Sequence, residues 1–548
     1  MASVRVSALC LACACTSEPV IPLPDGEIQL AVTLDDAHAT GRLIGWNLGR
    51  GTLYATANDT IHPEWRSPER IAAFARLSSL RNADDAPPYV RFSGLQIDGA
   101  LGQDGYHFWR YADPARVVAD DDNMAPYQHQ TIVDEVDGTP LVTVDFGSGT
   151  ADEAARYLKH LVASDGSDEA NARAHWGHPD PWPTSIYEIG NEVYGPWNTG
   201  YTATGNHAYA NPDAEGGGDP AWHGRPSAAA ADYAARALAY ADAMSAVQPD
   251  ARFWVPLAQS SMDAWGGLDA ALADLDPLLR DERITAVVVH HYQVDDLAPF
   301  GANDKTALEL ALAGSEVLAP GYRELRERIA AIPRATPLQI AITEYHVAGA
   351  FTFGAFDPLA DTHVVGLGVA DALLSFAELG IDHAAQHLAI AFDEASQSEA
   401  LFEPWYNPLR VVNGEVQPRP SLVATELVAQ HLRRDTAHVE AIDVPQGHYE
   451  DGAFALDYPL VRTVAFADDE SATVLVLHRD LAESHTLTID LPKDDWQLAA
   501  AQIYAPQDLT TPIGDAAIAL ADADVELRGD RIAFALPPHS LLAIVLAR

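Results

Sequence analysis

Tyr187-Glu188-Ile189-Gly190-Asn191-Glu192-Val193-Tyr194-Gly195-Pro196-Trp197 is the stretch on which the reading of this chain turns. A short apolar strand runs into Gly-Asn-Glu and then into a loop carrying Tyr194, Pro196 and Trp197. A second segment is built the same way: Leu338-Gln339-Ile340-Ala341-Ile342-Thr343-Glu344-Tyr345-His346. Each delivers a glutamate at the C-terminal end of a strand that reads as buried. In parallel α/β folds that end of the sheet is where chemistry is built.

Working outward, short apolar runs alternate with helical stretches over most of the chain. Strand candidates fall at 43–48, 89–93, 141–146, 185–190, 253–258, 284–292, 338–344 and 384–389. Strands separated by helices are parallel strands joined by crossovers. Eight such units within 26–400 predict a (β/α)8 TIM barrel with insertions. Thr150-Ala151-Asp152-Glu153 is a capping box and opens a helix over 152–162. Ser227 begins a long Ala-rich helix; its Tyr233, Ala237, Tyr240, Met244 and Val247 recur at helical spacing and predict the face turned to the strands. The interval 198–225, rich in Gly, Pro, Trp, Tyr and Asn, reads as a long loop at the functional face.

The pattern changes near residue 400. A linking helix is expected over 420–433, followed by strands at 472–478, 485–491, 532–536 and 540–546 between Asp- and Gly-rich turns. This predicts a C-terminal all-β sandwich domain over 401–548. The alternating strand at 28–34 precedes the barrel strands and is a candidate to join the sandwich.

The 548 residues carry 33 basic and 79 acidic side chains, a net charge of −46. Such a field repels phosphate backbones and polyanionic sugars, which excludes nucleic acid as a partner and leaves neutral carbohydrate as the easier substrate. All three cysteines, Cys10, Cys13 and Cys15, lie in the first fifteen residues. One basic residue followed by an apolar run predicts an export signal and a Pro-rich linker over 1–25, with Cys10-Leu11-Ala12-Cys13 resembling a lipoprotein processing box. The expected location is therefore periplasmic, cell-surface or extracellular, with a lipid anchor to the membrane as one form. No cysteine follows, so neither a disulfide nor a thiolate metal site is expected there. The chain's oligomeric state is not written in its sequence.

Two strand-end glutamates suit glycosidic-bond hydrolysis, in which retaining enzymes hold two carboxyl groups about 5–5.5 Å apart. Glu192 and Glu344 are the expected catalytic pair. One must stay ionised beside a cation or hydrogen-bond donors; the other must hold a proton. Glu188 lies an even number of residues from Glu192 and is read as a buried structural acid. Arg91 is placed to hydrogen-bond the nucleophile, and Asn191 to bind a sugar hydroxyl. His290 and Tyr292 share one face of their strand. Trp46, Trp109, Trp176, Trp182 and Trp197 are either stacking platforms or core. A metal site of His290 or His291 with His175 and His178 lacks any recognised ligand spacing. No metal or other cofactor is expected.

These segments resemble clan A of the glycoside hydrolases, and within it the family 51 α-L-arabinofuranosidases. The likeness is carried by Glu188-Ile189-Gly190-Asn191-Glu192, Thr343-Glu344-Tyr345, Val144-Asp145-Phe146-Gly147-Ser148-Gly149-Thr150 and Tyr194-Gly195-Pro196-Trp197. His290-x-Tyr292, Pro420-Ser421-Leu422 and Pro537-Pro538-His539-Ser540 add to it. The resemblance implies a retaining glycosidase with Glu192 as acid/base, Glu344 as nucleophile, and Asn191, His290 and Tyr292 lining the −1 subsite. The chain departs from the pattern at three places. Trp46-Asn47 stands where the family carries Glu-His before Leu-Gly-Arg, Gln96 replaces an asparagine, and Tyr345 replaces a tryptophan. Trp46, Asn47, Gln96, Trp197 and Tyr345 are accordingly expected in the sugar-binding wall. The alternatives are a β-glycanase or β-xylosidase of the same clan and, in another class, a non-catalytic carbohydrate-binding surface lipoprotein.

Overall fold

A computed structural model describes residues 28–32, 37–48, 68–92, 126–144, 146, 150–175, 178–194, 226–257, 264–293, 304–347, 359, 362–387, 390–392, 408–412, 415–451, 454–491, 496–510, 520–528 and 531–548. The export leader, the 198–225 loop, Gln96, Trp109, Trp176 and Trp197 lie outside the described residues.

Strand β1 (Ile28–Val32) and the two-residue β2 (His38–Ala39) come first. The barrel follows: β3 (Gly45–Leu48), β4 (Tyr89–Phe92), β5 (Thr139–Val144), β6 (Ile186–Ile189), β7 (Arg252–Pro256), β8 (Ile284–Tyr292), β9 (Gln339–His346) and β10 (His383–His387). These eight form a closed parallel barrel in sequence order, with β10 pairing back onto β3. The crossover helices behave as their caps and spacing predict. Thr150 Oγ1 accepts from Glu153 N while the Glu153 carboxylate accepts from Thr150 N, which opens the helix Ala151–Val162. Along the helix Pro226–Val247, Tyr233, Ala237, Tyr240 and Met244 are buried against the strands.

Inside the barrel the N-terminal half is apolar: Tyr89, Leu141, Trp254, Ala286, Val288 and Ala341 pack together. Toward the C-terminal ends the inward positions turn polar, with Asn47, Arg91, Thr143, Glu188, His290, Glu344 and His387 joined by hydrogen bonds and ion pairs. The apolar half therefore acts as a floor beneath a polar site.

The C-terminal region is the expected sandwich. A five-stranded sheet has the order β15 (Val439–Asp443), β1, β20 (His485–Asp490), β24 (Arg531–Leu536), β23 (Glu526–Arg528). A seven-stranded sheet has the order β2, β14 (Asp435–Ala437), β18 (Val461–Ala467), β19 (Ser471–His478), β25 (Ser540–Ala547), β21 (Gln497–Tyr504), β22 (Ala521–Asp522). The candidate first strand thus belongs to the sandwich; β1 is antiparallel to β15 and parallel to β20. The remaining strands lie apart from both sheets. β16 (Gln446–Asp451) and β17 (Phe454–Pro459) pair with each other, while β11 (Ile390–Phe392), β12 (Leu409–Val412) and β13 (Glu415–Pro418) form a small sheet that straddles residue 400.

The central strands of the seven-stranded sheet are buried on both faces, which is why they read as continuous apolar runs. Ala472, Val474 and Val476 of β19 face the five-stranded sheet, whereas Leu475 and Leu477 face the barrel's helical layer. The helix His363–Glu378 fills that layer, every residue from Val364 to Ala377 being buried. It meets the linking helix Pro420–His431 at Gly366, where a Cβ would come within 2.7 Å of Pro420. Among the described residues, no helix is long and apolar enough to cross a membrane.

Candidate active site

The site starts from a sharp turn at the end of β6. Gly190 has φ +83°, and a Cβ there would meet Val193 Cγ1 at 2.6 Å and Phe146 Cβ at 2.9 Å, so only glycine fits. Tyr233 reaches in from its helix and donates to Ile189 O at 2.8 Å, fixing the residue before the turn. Two residues on, Glu192 itself is left-handed, with φ +43°. A non-glycine residue held in that region is strained, and such strain gathers at functional sites. The turn separates the two carboxylates of the motif. Glu188 stays fully buried inside the barrel, whereas Glu192 is lifted to the rim and remains partly exposed.

Arg91 organises the floor of the site. Its Nε and Nη2 donate to Glu188 Oε2 and Oε1 at 2.6 and 2.9 Å, a bidentate pair. Nη1 donates to Glu344 Oε1 at 2.7 Å, and Nη2 also donates to Asn191 Oδ1 at 2.6 Å. Thr143 donates to Glu188 from β5 at 3.3 Å. One guanidinium thus ties together the ends of β4, β6 and β9.

Glu344 enters by a break in strand alternation. The β8–β9 register runs Val289 to Ile342 and then His290 to Glu344, leaving one extra residue on β9. This bulge turns both Thr343 and Glu344 toward the interior and sends Tyr345 outward. Thr343 Oγ1 lies 3.2 Å from His290 Nε2, and Tyr292 donates its hydroxyl to Glu344 Oε2 at 2.7 Å. His290 Nδ1 is hydrogen-bonded to Glu192 Oε1 at 2.7 Å and lies 3.4 Å from Glu344 Oε2. One oxygen of Glu192, one of Glu344 and a nitrogen of His290 all fall within 4.8 Å of one another.

The electrostatics differentiate these groups. Burial alone would push the Glu344 carboxyl up, but His290, His387 and Arg91, together with the Tyr292 hydroxyl, outweigh it and hold it well below the usual carboxylate range. His290 is raised above the ordinary histidine value; burial opposes this, and the charges of Glu344 and Glu192 prevail. The arrangement therefore keeps one carboxylate ionised at the bottom of the site. The second carboxyl sits above it beside a histidine able to exchange a proton with it.

Two expected wall residues are elsewhere. Trp46 sits with Leu43, Ile44 and Leu48 in the core between barrel and helices, because Asn47 takes the inward position on β3. Tyr345 points out to Phe376, edge to face at a centroid distance of 5.3 Å. Trp182 is also core, edge-on to His129 at 4.9 Å. His291 turns away from the site to Tyr322 and Ser315, and the His178 carbonyl accepts from Arg173 beside the helix Asp168–His175. His387 was not among the expected residues. It ends β10, with Nδ1 2.6 Å from Asn47 Nδ2 and 3.7 Å from Glu344 Oε2. Its position at the C-terminal end of the eighth strand is the signal that marks it, the same one that picks out Glu192.

A (β/α)8 barrel with two strand-end glutamates, an attached sandwich built partly from the N-terminal strand, and a buried arginine bonded to Glu344 define the class. The fold is that of the family 51 α-L-arabinofuranosidases. A family 51 α-L-arabinofuranosidase from Bifidobacterium longum superposes with a TM-score of 0.71 at 15% identity, covering 95% of this chain and 100% of that one. An arabinose complex of α-L-arabinofuranosidase from Thermotoga maritima gives 0.68 at 14% identity, covering 96% and 100%. In sequence, probable α-L-arabinofuranosidase C of Aspergillus clavatus is 33% identical over 70 residues. That stretch covers 13% of this chain and 14% of the fungal protein. No family model matches the chain.

Proposed function

We propose that this protein is a retaining glycoside hydrolase of the α-L-arabinofuranosidase type, acting on neutral poly- or oligosaccharide by double displacement. The observation that carries the proposal is the pairing of Glu344, held ionised by Arg91 and Tyr292, with Glu192, one oxygen of each lying within 4.8 Å of the other. Inverting enzymes need about 6.5–9.5 Å between the carboxyl groups to seat a water, whereas retaining ones need about 5–5.5 Å. The close approach favours retention.

In the first step Glu344 attacks the anomeric carbon, and Glu192 gives its proton to the departing glycosidic oxygen. The product is a glycosyl ester on Glu344. In the second step Glu192 takes a proton from water as that water displaces the ester, which restores both groups. Asn191, held by Arg91 through its Oδ1, keeps its amide N–H groups for a sugar hydroxyl. His290 keeps Glu192 supplied with a proton-exchange partner. The fold likeness to arabinofuranosidases and the short sequence match support the furanosidase reading.

A second reading, a β-glycanase or β-xylosidase of the same clan, is favoured by one observation. The first strand offers the Asn47 amide, bound to His387, and no carboxylate to grip a furanose. Aryl α-L-arabinofuranoside, aryl β-xyloside and aryl β-glucoside separate the two. Glu344→Ala and Glu192→Ala should each abolish turnover, and azide should rescue Glu344→Ala as a glycosyl azide of inverted configuration. Unchanged turnover in either variant would overturn the mechanism. The leader at 1–25 supports export of this activity, tested by fractionating cells that express the full chain.

A further inference from the structure

Far from the barrel site, His478, Asp480 and His485 bring two ring nitrogens and one carboxylate oxygen within 4.8 Å of one another. The cluster spans the connection from β19 to β20, so it bridges the two sheets of the sandwich. His478 is fully buried, and its Nδ1 lies 2.6 Å from Pro537 O. Only an N–H faces a carbonyl at that distance, so the neutral ring carries its proton on Nδ1 and presents a lone pair at Nε2. That Nε2 is buried and has no hydrogen-bond partner.

Asp480 is oriented from behind. Its Oδ1 accepts from the backbone N–H groups of Ala482 and Glu483, at 2.9 Å each. This leaves Oδ2, which lies 3.1 Å from His485 Nε2. The two imidazoles cross nearly at right angles, centroids 5.1 Å apart. A plain His–Asp hydrogen bond accounts for His485 and Asp480, but it leaves the buried lone pair of His478 with nothing to bind.

We propose that His478 Nε2, His485 Nε2 and Asp480 Oδ2 hold one divalent transition ion of the zinc type, with solvent completing the coordination. Two imidazoles and one carboxylate suit Zn2+ far better than the oxygen-seeking Mg2+ or Ca2+. A carbonyl behind one histidine and backbone amides behind the carboxylate are the partners that orient metal ligands. Ligands at about 2.0–2.2 Å from zinc require the three atoms to draw together. The Asp480 and His485 side chains, partly exposed, have room to do so and give the ion a way in. The ion would pin β19 to β20 and so lock the two sheets together; it takes no part in glycoside chemistry.

The full-length protein, stripped with a chelator, should bind one equivalent of Zn2+ by calorimetry and melt at a higher temperature with it. Asp480→Asn keeps the backbone caps and His485→Ala removes a partly exposed side chain, so both should fold, with metal-free melting close to that of the parent. Each should weaken Zn2+ binding by about 100-fold or more. Glu344→Gln should bind Zn2+ as the parent does, which separates this cluster from the Glu192–His290–Glu344 group. Absence of saturable binding, binding undiminished in both sandwich variants, or binding lost only in Glu344→Gln would each overturn the proposal.

Discussion

Tyr292 donates its hydroxyl to Glu344 Oε2 at 2.7 Å, on the carboxylate whose other oxygen is held by Arg91. The bond stabilises the ionised form, so Tyr292→Phe should raise the Glu344 pKa and weaken the nucleophile's placement. A hydrogen bond to a charged group is worth about 1.5–3 kcal/mol. That converts to a fall of roughly 10- to 100-fold in kcat/KM. The acid limb of the pH–kcat/KM profile should move to higher pH, because a larger share of Glu344 becomes protonated at a given acidity. An unmoved limb with reduced kcat would mean that Tyr292 acts on the sugar and not on the carboxylate.

Arg91 and Glu188 are both fully buried and joined bidentately, so removing Arg91 leaves the Glu188 carboxylate buried without a cation. Arg91→Met should cost about 3–5 kcal/mol of stability, the usual penalty for breaking a buried pair. Arg91→Met/Glu188→Gln should recover much of that in urea denaturation. Activity should not return in the double variant, since Glu344 still lacks its guanidinium. Recovery of both together would show that Arg91 serves only the scaffold.

The barrel was legible in the sequence because parallel buried strands and amphipathic helices differ in period, and the capping box at Thr150–Glu153 marked a helix start outright. Glu192 could be preferred over Glu188 from its place nearer the loop; the positive φ of Gly190 is the physical reason the two diverge. Side-chain direction was less legible. Trp46 and Tyr345 were expected at the sugar and lie in the outer core. On β9 the cause is the bulge, which breaks a strict two-residue alternation and cannot be read from residue types. The assignment of β1 and β2 to the sandwich depends on partners more than four hundred residues or nearly four hundred residues away, at β20 and β14, so local pattern left it open.

Asp371 is buried in the helix His363–Glu378 and takes Arg462 Nε at 2.9 Å and a second guanidinium, that of Arg479, from the sandwich. Those arginines also reach Glu316, at 2.7 and 2.8 Å, on the helix Asp304–Ala330. Asp371→Ala should therefore leave two buried guanidiniums sharing Glu316, with Arg462 also on Glu378, and loosen the sandwich from the barrel. The expected loss is about 3–5 kcal/mol. Scanning calorimetry checks it: the parent should melt as one unit, and the variant should melt lower with the sandwich and barrel transitions separated.

His129, His291 and His383 are buried, and burial pushes each down to about 3. The unfolded chain binds a proton at each near the ordinary value of about 6.5. Between those values the unfolded state holds more protons than the folded one, so stability must rise with pH there and fall as pH drops. Their contribution is fully present above about pH 6.5 and is lost progressively toward pH 3. Each such group adds a slope of about 1.4 kcal/mol per pH unit, so three add roughly 4. Urea denaturation across pH 4–7 should show this steep acid loss beginning before the carboxylates titrate. His129→Phe should flatten it by about one proton's worth, because Phe keeps the stacking on Phe92 at 4.7 Å while giving up the titrating ring and its bond to Val90 O. A slope unchanged in His129→Phe would mean that the ring stays neutral in the unfolded chain as well, or takes up its proton without unfolding.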